Sequence, residues 1–298
     1  MNPYLALTKP RITLMVVLSA LAGMFLAGGW PATAVLVATV AGVSLSAGGA
    51  NALNQAWERD ADSRMERTKG RPVPAGLLSP AAATVFGLVL AAAGVAVLAI
   101  WTRPVTAVLA ALTVGIYVLV YTPLKPRSSL STIVGAVPGA FPIMGGWTAA
   151  GGALDAGAWA LFGILFFWQL PHFLALAYLY KEDYSRGGLQ MLPVEDQTGR
   201  QTRQQAVLYA LALLPTSLLP SLLGLSGSVY AAVALTMSAL YVLAALRFAL
   251  RPDRAAAGRL FRTSLIYLPI LLAVLALDIQ ERPAEFDART PIADAQGS

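Results

Sequence analysis

Apolar residues run through this chain in blocks of membrane-spanning length, at about 12–30, 32–53, 81–101, 104–122, 130–150, 157–179, 205–224, 228–249 and 263–280. Each is close to the ~20 residues that a bilayer core demands of a helix. The pattern predicts nine transmembrane helices. Turn residues mark the breaks: Gly28-Gly29-Trp30-Pro31, Arg103-Pro104, Pro123 and Pro126, Gly151-Gly152, and Gly224 to Ser228. Connections on one side are tight, and the long ones at 54–80, 122–130, 180–204 and 250–262 fall on the other. The opening MNPYLALTKPR lacks the layout of a cleavable signal peptide, so the first apolar run is expected to stay as a span. Residues 281–298, ERPAEFDARTPIADAQGS, read as a polar C-terminal tail. That leaves 1–280 as a single all-α transmembrane domain.

Composition strengthens this picture. Hydrophobic residues make up 57% of the chain and charged residues 12%, with a mean hydropathy of +0.66, against the roughly 45–50% apolar content of soluble domains. Cysteine is absent, which excludes disulfides, thiolate metal sites, thiol nucleophiles and covalent c-type haem attachment. Of the 21 Lys and Arg residues, all but Arg103, Arg282 and Arg289 fall on the side of the N-terminus. The positive-inside rule then predicts a cytoplasmic N-terminus and, after nine spans, an external C-terminus. The net charge of +6 is accordingly a topology signal. Nothing supports nucleic-acid binding, which would want its basic residues on a solvated fold with rings to stack on.

Dense charge in so oily a chain is concentrated first in NQAWERDADSRMERTKGR, from Asn54 to Arg71. Asn54, Glu58 and Asp62 are four residues apart, which on a helix returns them to one face, whereas Asp60 faces elsewhere. A row of oxygen donors suits a hard cation such as Mg2+, which shares its shell with water and substrate phosphates. A solvated loop that merely sets topology is the competing account.

The second charged stretch, WQLPHFLALAYLYKEDYSRGGLQMLP, runs from Trp168 to Pro193. It carries the only histidine, His172, inside the sixth span, and then Lys181, Glu182, Asp183 and Tyr184 at the cytoplasmic end. Ionisable groups within spans are costly and point to function. Pro171 loosens the helix ladder beside His172 and can aim the imidazole into a cavity. A neutral imidazole hydrogen-bonded to a neighbouring helix is the alternative. Spans two and six each lead into a long cytoplasmic loop that opens with acids and closes with prolines, which suggests two related half-sites. Lys9, Arg11 and the arginines from Arg247 to Arg262 read as snorkelling anchors.

Together these stretches resemble the UbiA-type intramembrane prenyltransferases, and within them the haem O synthase branch. The likeness is carried by Asn54 to Arg71 with Met65-Glu66-Arg67-Thr68-Lys69, by Tyr121-Thr122-Pro123-Leu124-Lys125, and by Trp168-Gln169-Leu170-Pro171-His172-Phe173 followed by Lys181-Glu182-Asp183-Tyr184 and Met191-Leu192-Pro193. The wider family has a second aspartate-rich motif where this chain has Pro171-His172-Phe173. Two departures stand out: Glu58 occupies a position usually held by aspartate, and Pro126 separates Lys125 from Arg127.

The resemblance implies a UbiA-like bundle in the cell (inner) membrane and transfer of farnesyl from farnesyl diphosphate to a vinyl group of haem b, with Mg2+ as cofactor. Asn54, Glu58, Asp62 and Asp183 are expected to hold the metal, and Arg67, Lys69, Lys125, Arg127, Lys181, Glu182 and Tyr121 to contact substrate. His172 is assigned to the haem side, as axial ligand or pocket contact. Trp57, Tyr117, Tyr121, Trp168 and Phe173 could line a prenyl tunnel or steady the allylic cation, though the enrichment of aromatic residues at membrane interfaces favours reading them as interface anchors. The resemblance further implies an oxidase-assembly partner. A relative acting on a quinone or chlorophyll precursor is the nearest alternative. A transporter of an anionic solute is the rival of another class, disfavoured because the acids and bases crowd the cytoplasmic helix ends instead of the bilayer midplane. A non-catalytic haem chaperone would leave the paired acidic motifs unexplained.

Overall fold

Proline and short polar side chains set where the helices begin. The structure is a computed structural model, described for residues 2–280; the tail expected at 281–298, with Arg282 and Arg289, lies outside the described residues. Asn2 caps the short α1 (Pro3–Leu7), and α2 (Pro10–Leu26) starts on a proline whose missing N–H costs nothing there. Next come α3 (Thr33–Trp57), the short α4 (Arg59–Ser63) and α5 (Pro80–Trp101), whose first turn is capped by the Ser79 hydroxyl. Helix α6 (Pro104–Gly115) widens into a π-helical stretch, Ile116–Tyr121, before α7 (Thr122–Leu124). The second half holds α8 (Ser131–Ala149), α9 (Ala156–Leu179), α10 (Lys181–Arg186), α11 (Leu192–Glu195), α12 (Arg200–Leu222), α13 (Ser228–Leu250) and α14 (Arg254–Leu277). Asp155 and Asp253 cap α9 and α14. Among the described residues no sheet forms; an isolated bridge pairs Ser226 with Ile279.

Among the described residues, seven helices are long and apolar enough to cross a membrane: α3, α5, the α6–α7 rod, α9, α12, α13 and α14. The protein is a multi-pass membrane protein. Helix α2, of 17 residues, and the proline-containing α8 stand where two further spans are expected. The last helix starts nine residues before its apolar block, because Arg254, Arg259 and Arg262 form helical turns that hydropathy alone cannot register.

Lipid gives apolar helices no reason to associate, so the bundle relies on close packing and interhelical hydrogen bonds. Helix α3 lies along α5 at a separation that only glycine permits at Gly49, where a Cβ would stand 2.5 Å from the Ala91 nitrogen. In the second half, Trp147, Tyr230, Tyr241, Phe248 and Tyr267 are fully buried. Their polar atoms are matched: Ser238 bridges Ser217 at 2.8 Å and the Tyr267 hydroxyl at 2.9 Å. Leucines such as Leu88, Leu119, Leu222 and Leu277 point outward, as lipid-facing residues do.

Candidate active site

Helix α3 runs out at Trp57, yet the four-residue rhythm survives the break. The Glu58 N–H donates to the Asn54 carbonyl at 2.9 Å and the Asp62 N–H to the Glu58 carbonyl at 2.8 Å, carrying the turn into α4. Asn54, Glu58 and Asp62 are buried and share one cavity of about 150 Å³, with Asp60 outside it. Lys9, Arg67, Arg71 and Lys125 face the same space, as do Tyr117, Tyr121, Phe173 and Tyr184.

Each oxygen donor meets a cation. Lys9 Nζ donates to Asn54 Oδ1 at 2.9 Å, Lys125 Nζ stands 2.7 Å from Glu58 Oε1, and Arg71 donates to Asp62 Oδ2 at 2.6 Å. Burial would raise the Glu58 carboxyl, but the Lys125 ammonium outweighs it and holds Glu58 below its ordinary value. Burial would likewise lower Lys125, and the Glu58 carboxylate instead lifts it well above the usual lysine range. At Lys9 burial prevails, joined by the Arg71 guanidinium, and lowers the ammonium to about 7. Lys125 also lies 4.4 Å from the centre of the Tyr121 ring.

Asn54 is oriented from behind. Its Nδ2 donates to Thr122 Oγ1 at 3.1 Å, and the Thr122 hydroxyl donates to the Tyr117 carbonyl at 2.7 Å. The carbonyl that Thr122 reaches belongs to the π-helical stretch, a distortion frequent at functional sites. With its amide nitrogen engaged, Asn54 turns Oδ1 toward the cavity.

These donors fit Mg2+. Asp62 Oδ1 is buried without a hydrogen-bond partner, and it stands with a second carboxylate and an amide oxygen, all hard ligands. Among the described residues no three acidic or histidine side chains converge, so a bound ion would draw further ligands from water or phosphate.

Asp183 occupies a different setting. Its carboxylate accepts from the backbone N–H groups of Glu66 and Arg67 at 2.8 and 3.2 Å and from the Arg186 guanidinium at 2.7 Å. Burial would raise its pKa, and these three donors, Arg186 first, hold it below the ordinary range. With Lys181, Glu182 and Arg254 it borders an outer cavity of about 750 Å³, and Arg67 stands in the wall common to both spaces. Arg67 is steadied by the Tyr180 and Tyr184 rings, 5.3 and 5.6 Å from its guanidinium carbon. Lys69 pairs with Glu66 in the open, and Arg127 is exposed away from the inner cavity.

His172 sits in α9, one residue before the cavity-lining Phe173, and faces α14. Its ring stacks against Trp168 and Phe261 with centroids 5.3 and 4.7 Å away. Ser264 donates its only hydroxyl proton to the Phe261 carbonyl at 2.5 Å. Its oxygen is left to accept from His172 Nδ1 at 2.7 Å, which assigns the ring proton to Nδ1 and leaves Nε2 as the acceptor.

Three residues escaped the sequence reading. Lys9 is no snorkelling anchor: its left-handed backbone, φ 47°, and the Pro10 that follows turn it into the site. Arg71 lay within the charged stretch but was not separable from its neighbours, and Thr122 carries no charge to signal its role.

The profile of the UbiA prenyltransferase family matches residues 16–268. The chain belongs to the UbiA prenyltransferase family. The family relatives include a protoheme IX farnesyltransferase from Solibacter usitatus, 42% identical over 93% of this chain and 99% of its own length. Another, from Myxococcus xanthus, is 42% identical over 92% of this chain and 93% of its own. A solved digeranylgeranylglyceryl phosphate synthase shares the fold at a TM-score of 0.80 and 15% identity, covering 93% of this chain and 97% of that one. A UbiA homologue from Archaeoglobus fulgidus bound to GPP and Mg2+ follows at 0.65, with 15% identity over 92% of this chain and 100% of its own. At such identities these two structures speak for the fold alone.

Proposed function

We propose that the protein transfers the farnesyl group of farnesyl diphosphate to a vinyl group of haem b, yielding haem O. The observation that carries the reading is the inner cavity, where two buried carboxylates and an amide oxygen face four cationic side chains. Relatives named protoheme IX farnesyltransferase over nearly the full chain supply the substrates.

Asn54, Glu58 and Asp62 are the residues that would hold Mg2+, whose bound charge stabilises the departing diphosphate. Lys9, Arg67, Arg71 and Lys125 supply hydrogen bonds to the diphosphate oxygens as the allylic C–O bond breaks. Tyr117, Tyr121 and Phe173 present ring faces to the farnesyl cation and keep bulk water from it. The vinyl carbon of haem b attacks that cation, water adds at the carbon beside the porphyrin, and a proton is released. Thr122 orients Asn54, and Asp183 holds the Glu66–Arg67 backbone that forms the cavity wall. His172 belongs to the haem side, with Nε2 as its acceptor atom. Lys69, Arg127, Lys181 and Glu182, which stand off the inner cavity, are not assigned to the diphosphate.

The proposed setting is the cell (inner) membrane, crossed nine times with the N-terminus cytoplasmic and the C-terminus external, as the distribution of Lys and Arg supports. Reporters fused after Ser298 then read external and those within 181–203 cytoplasmic; a cytoplasmic Ser298 would remove the nine-span topology. An oxidase-assembly partner is part of this reading through the role of haem O as an oxidase precursor. The function itself is tested with purified protein, haem b, farnesyl diphosphate and Mg2+. Mass spectrometry should show the hydroxyethylfarnesyl haem, and its absence with active Mg2+ and both substrates present would reject the assignment.

A further inference from the structure

The inner cavity carries more positive than negative side chains. Lys9, Arg67, Arg71 and Lys125 line it against only Glu58 and Asp62. Three of these cations are in contact with the oxygens that a metal would need: Asn54 Oδ1 with Lys9 at 2.9 Å, Glu58 Oε1 with Lys125 at 2.7 Å and Asp62 Oδ2 with Arg71 at 2.6 Å. A divalent cation arriving first finds Asp62 Oδ1 free but enters a region of excess positive charge, and to reach Asn54 Oδ1, Glu58 Oε1 and Asp62 Oδ2 it must displace cations tethered to this chain. A diphosphate arriving first meets what it needs. Its oxygens offer the ammonium and guanidinium groups new partners a few ångströms away, and its charge reverses the balance of the cavity.

We propose that the site binds the prenyl diphosphate before the metal. Lys9, Lys125 and Arg71 act as placeholders on Asn54, Glu58 and Asp62, and yield these oxygens only when the diphosphate has taken the cations. The inference rests on the prenyltransferase reading and adds to it an order of binding. The partners suit such an exchange: all three are long flexible side chains, whereas the carboxylate of Asp183 is held largely by backbone N–H groups that cannot turn away. Placeholding also spares two buried carboxylates the cost of standing unpaired in the empty site.

The order is tested by calorimetry on the full chain in nanodiscs, with farnesyl thiolodiphosphate as the unreactive diphosphate and Mn2+ as the metal, its binding followed in parallel by electron paramagnetic resonance. The analogue should bind in the presence of a chelator. Mn2+ alone should bind weakly, and roughly 100-fold more tightly once the analogue saturates the site, the upper range of such couplings. The same factor should appear in the analogue's affinity when Mn2+ is added first, because linkage is reciprocal. Equal Mn2+ affinity with and without the analogue overturns the proposal. So does an analogue that binds only when metal is present, which leaves the prenyltransferase reading intact. An analogue that binds under neither condition rejects that reading, and this inference with it.

Lys9→Met provides a second measure within the site. It should raise the affinity of the free protein for Mn2+ and lower that for the analogue, two changes of opposite sign. The exposed Arg11→Met, on the same face of the membrane, controls for general loss of positive charge and should change neither. A Lys9→Met protein with unchanged or weakened Mn2+ binding contradicts the placeholder role.

Discussion

The two acidic motifs that follow α3 and α9 look alike in sequence and are partnered in opposite ways. Glu58 and Asp62 are matched by the tips of Lys125 and Arg71, groups on long side chains that can turn to another anion. Asp183 is matched by two backbone N–H groups and a neighbouring arginine, and so fastens the loop of the first motif to α10. An acid facing movable cations can be handed to a ligand, while an acid facing the main chain is committed to the fold. The lesson is that carboxylates of similarly low exposure divide into chemical and architectural roles according to what donates to them.

Asp62→Asn should break the chemical side of this contrast with the largest effect. The substitution keeps the shape but removes charge at the proposed metal ligand that pairs with Arg71, and turnover of farnesyl diphosphate should fall by about 100-fold or more. The melting temperature should change little. Near wild-type turnover at limiting Mg2+ would show that Asp62 is not a metal ligand.

His172→Ala sharpens the contrast from the acceptor side. If Nε2 meets haem, haem affinity should fall by about tenfold, the scale of one lost polar contact in a buried site, while affinity for farnesyl thiolodiphosphate stays unchanged. Absorption titration and calorimetry on the same preparation decide it. An unchanged haem spectrum, affinity and product yield would reduce His172 to its hydrogen bond with Ser264.

Asp183→Asn probes the architectural side, where the expected loss is in stability. Charge-assisted bonds to the Glu66 and Arg67 amides should cost about 1–3 kcal/mol of local stability when weakened, seen as faster amide exchange in residues 64–71. The pH dependence has a definite sign. Because the carboxyl is held below its ordinary value in the folded state, its contribution is complete above the unfolded pKa and is lost as pH falls through the folded one. The protection factors of the loop amides, corrected for the intrinsic pH dependence of exchange, should therefore be flat from neutrality to about pH 5 and fall on further acidification, and the Asn variant should lack this fall.

Much of this was legible beforehand, and the misses share a cause. Helix positions followed from apolar block length, and the face formed by Asn54, Glu58 and Asp62 from a four-residue spacing that survives the end of α3 because the backbone bonds bridge it. The acidic half-sites could be located but not told apart, since the sequence shows a carboxylate and not its donors. Lys9 reaches Asn54 across 45 positions, and no local pattern announces such a contact. The same holds for the start of α14, where three arginines hide helical turns from a hydropathy reading.

Thr122 permits the finest test, because it touches neither a carboxylate nor the cavity charge. Its hydroxyl accepts from Asn54 Nδ2 and donates to the Tyr117 carbonyl, so it sets which end of the amide faces Lys9. Thr122→Val retains the branched shape, removes both neutral hydrogen bonds of the hydroxyl and leaves a buried amide nitrogen unmatched. The cost of such a change, about 1 kcal/mol, corresponds to roughly a fivefold rise in the Mg2+ concentration needed for half-maximal turnover. Turnover at saturating Mg2+ should stay near wild type, since Asn54 can still be drawn into place by a bound ion. Thr122→Ser restores the hydroxyl and should restore the metal requirement, which a purely steric role would not explain. A Val variant with an unaltered Mg2+ dependence would mean that Asn54 is held by Lys9 alone, and that the widened π-helical turn beneath it shapes the cavity without steering a ligand.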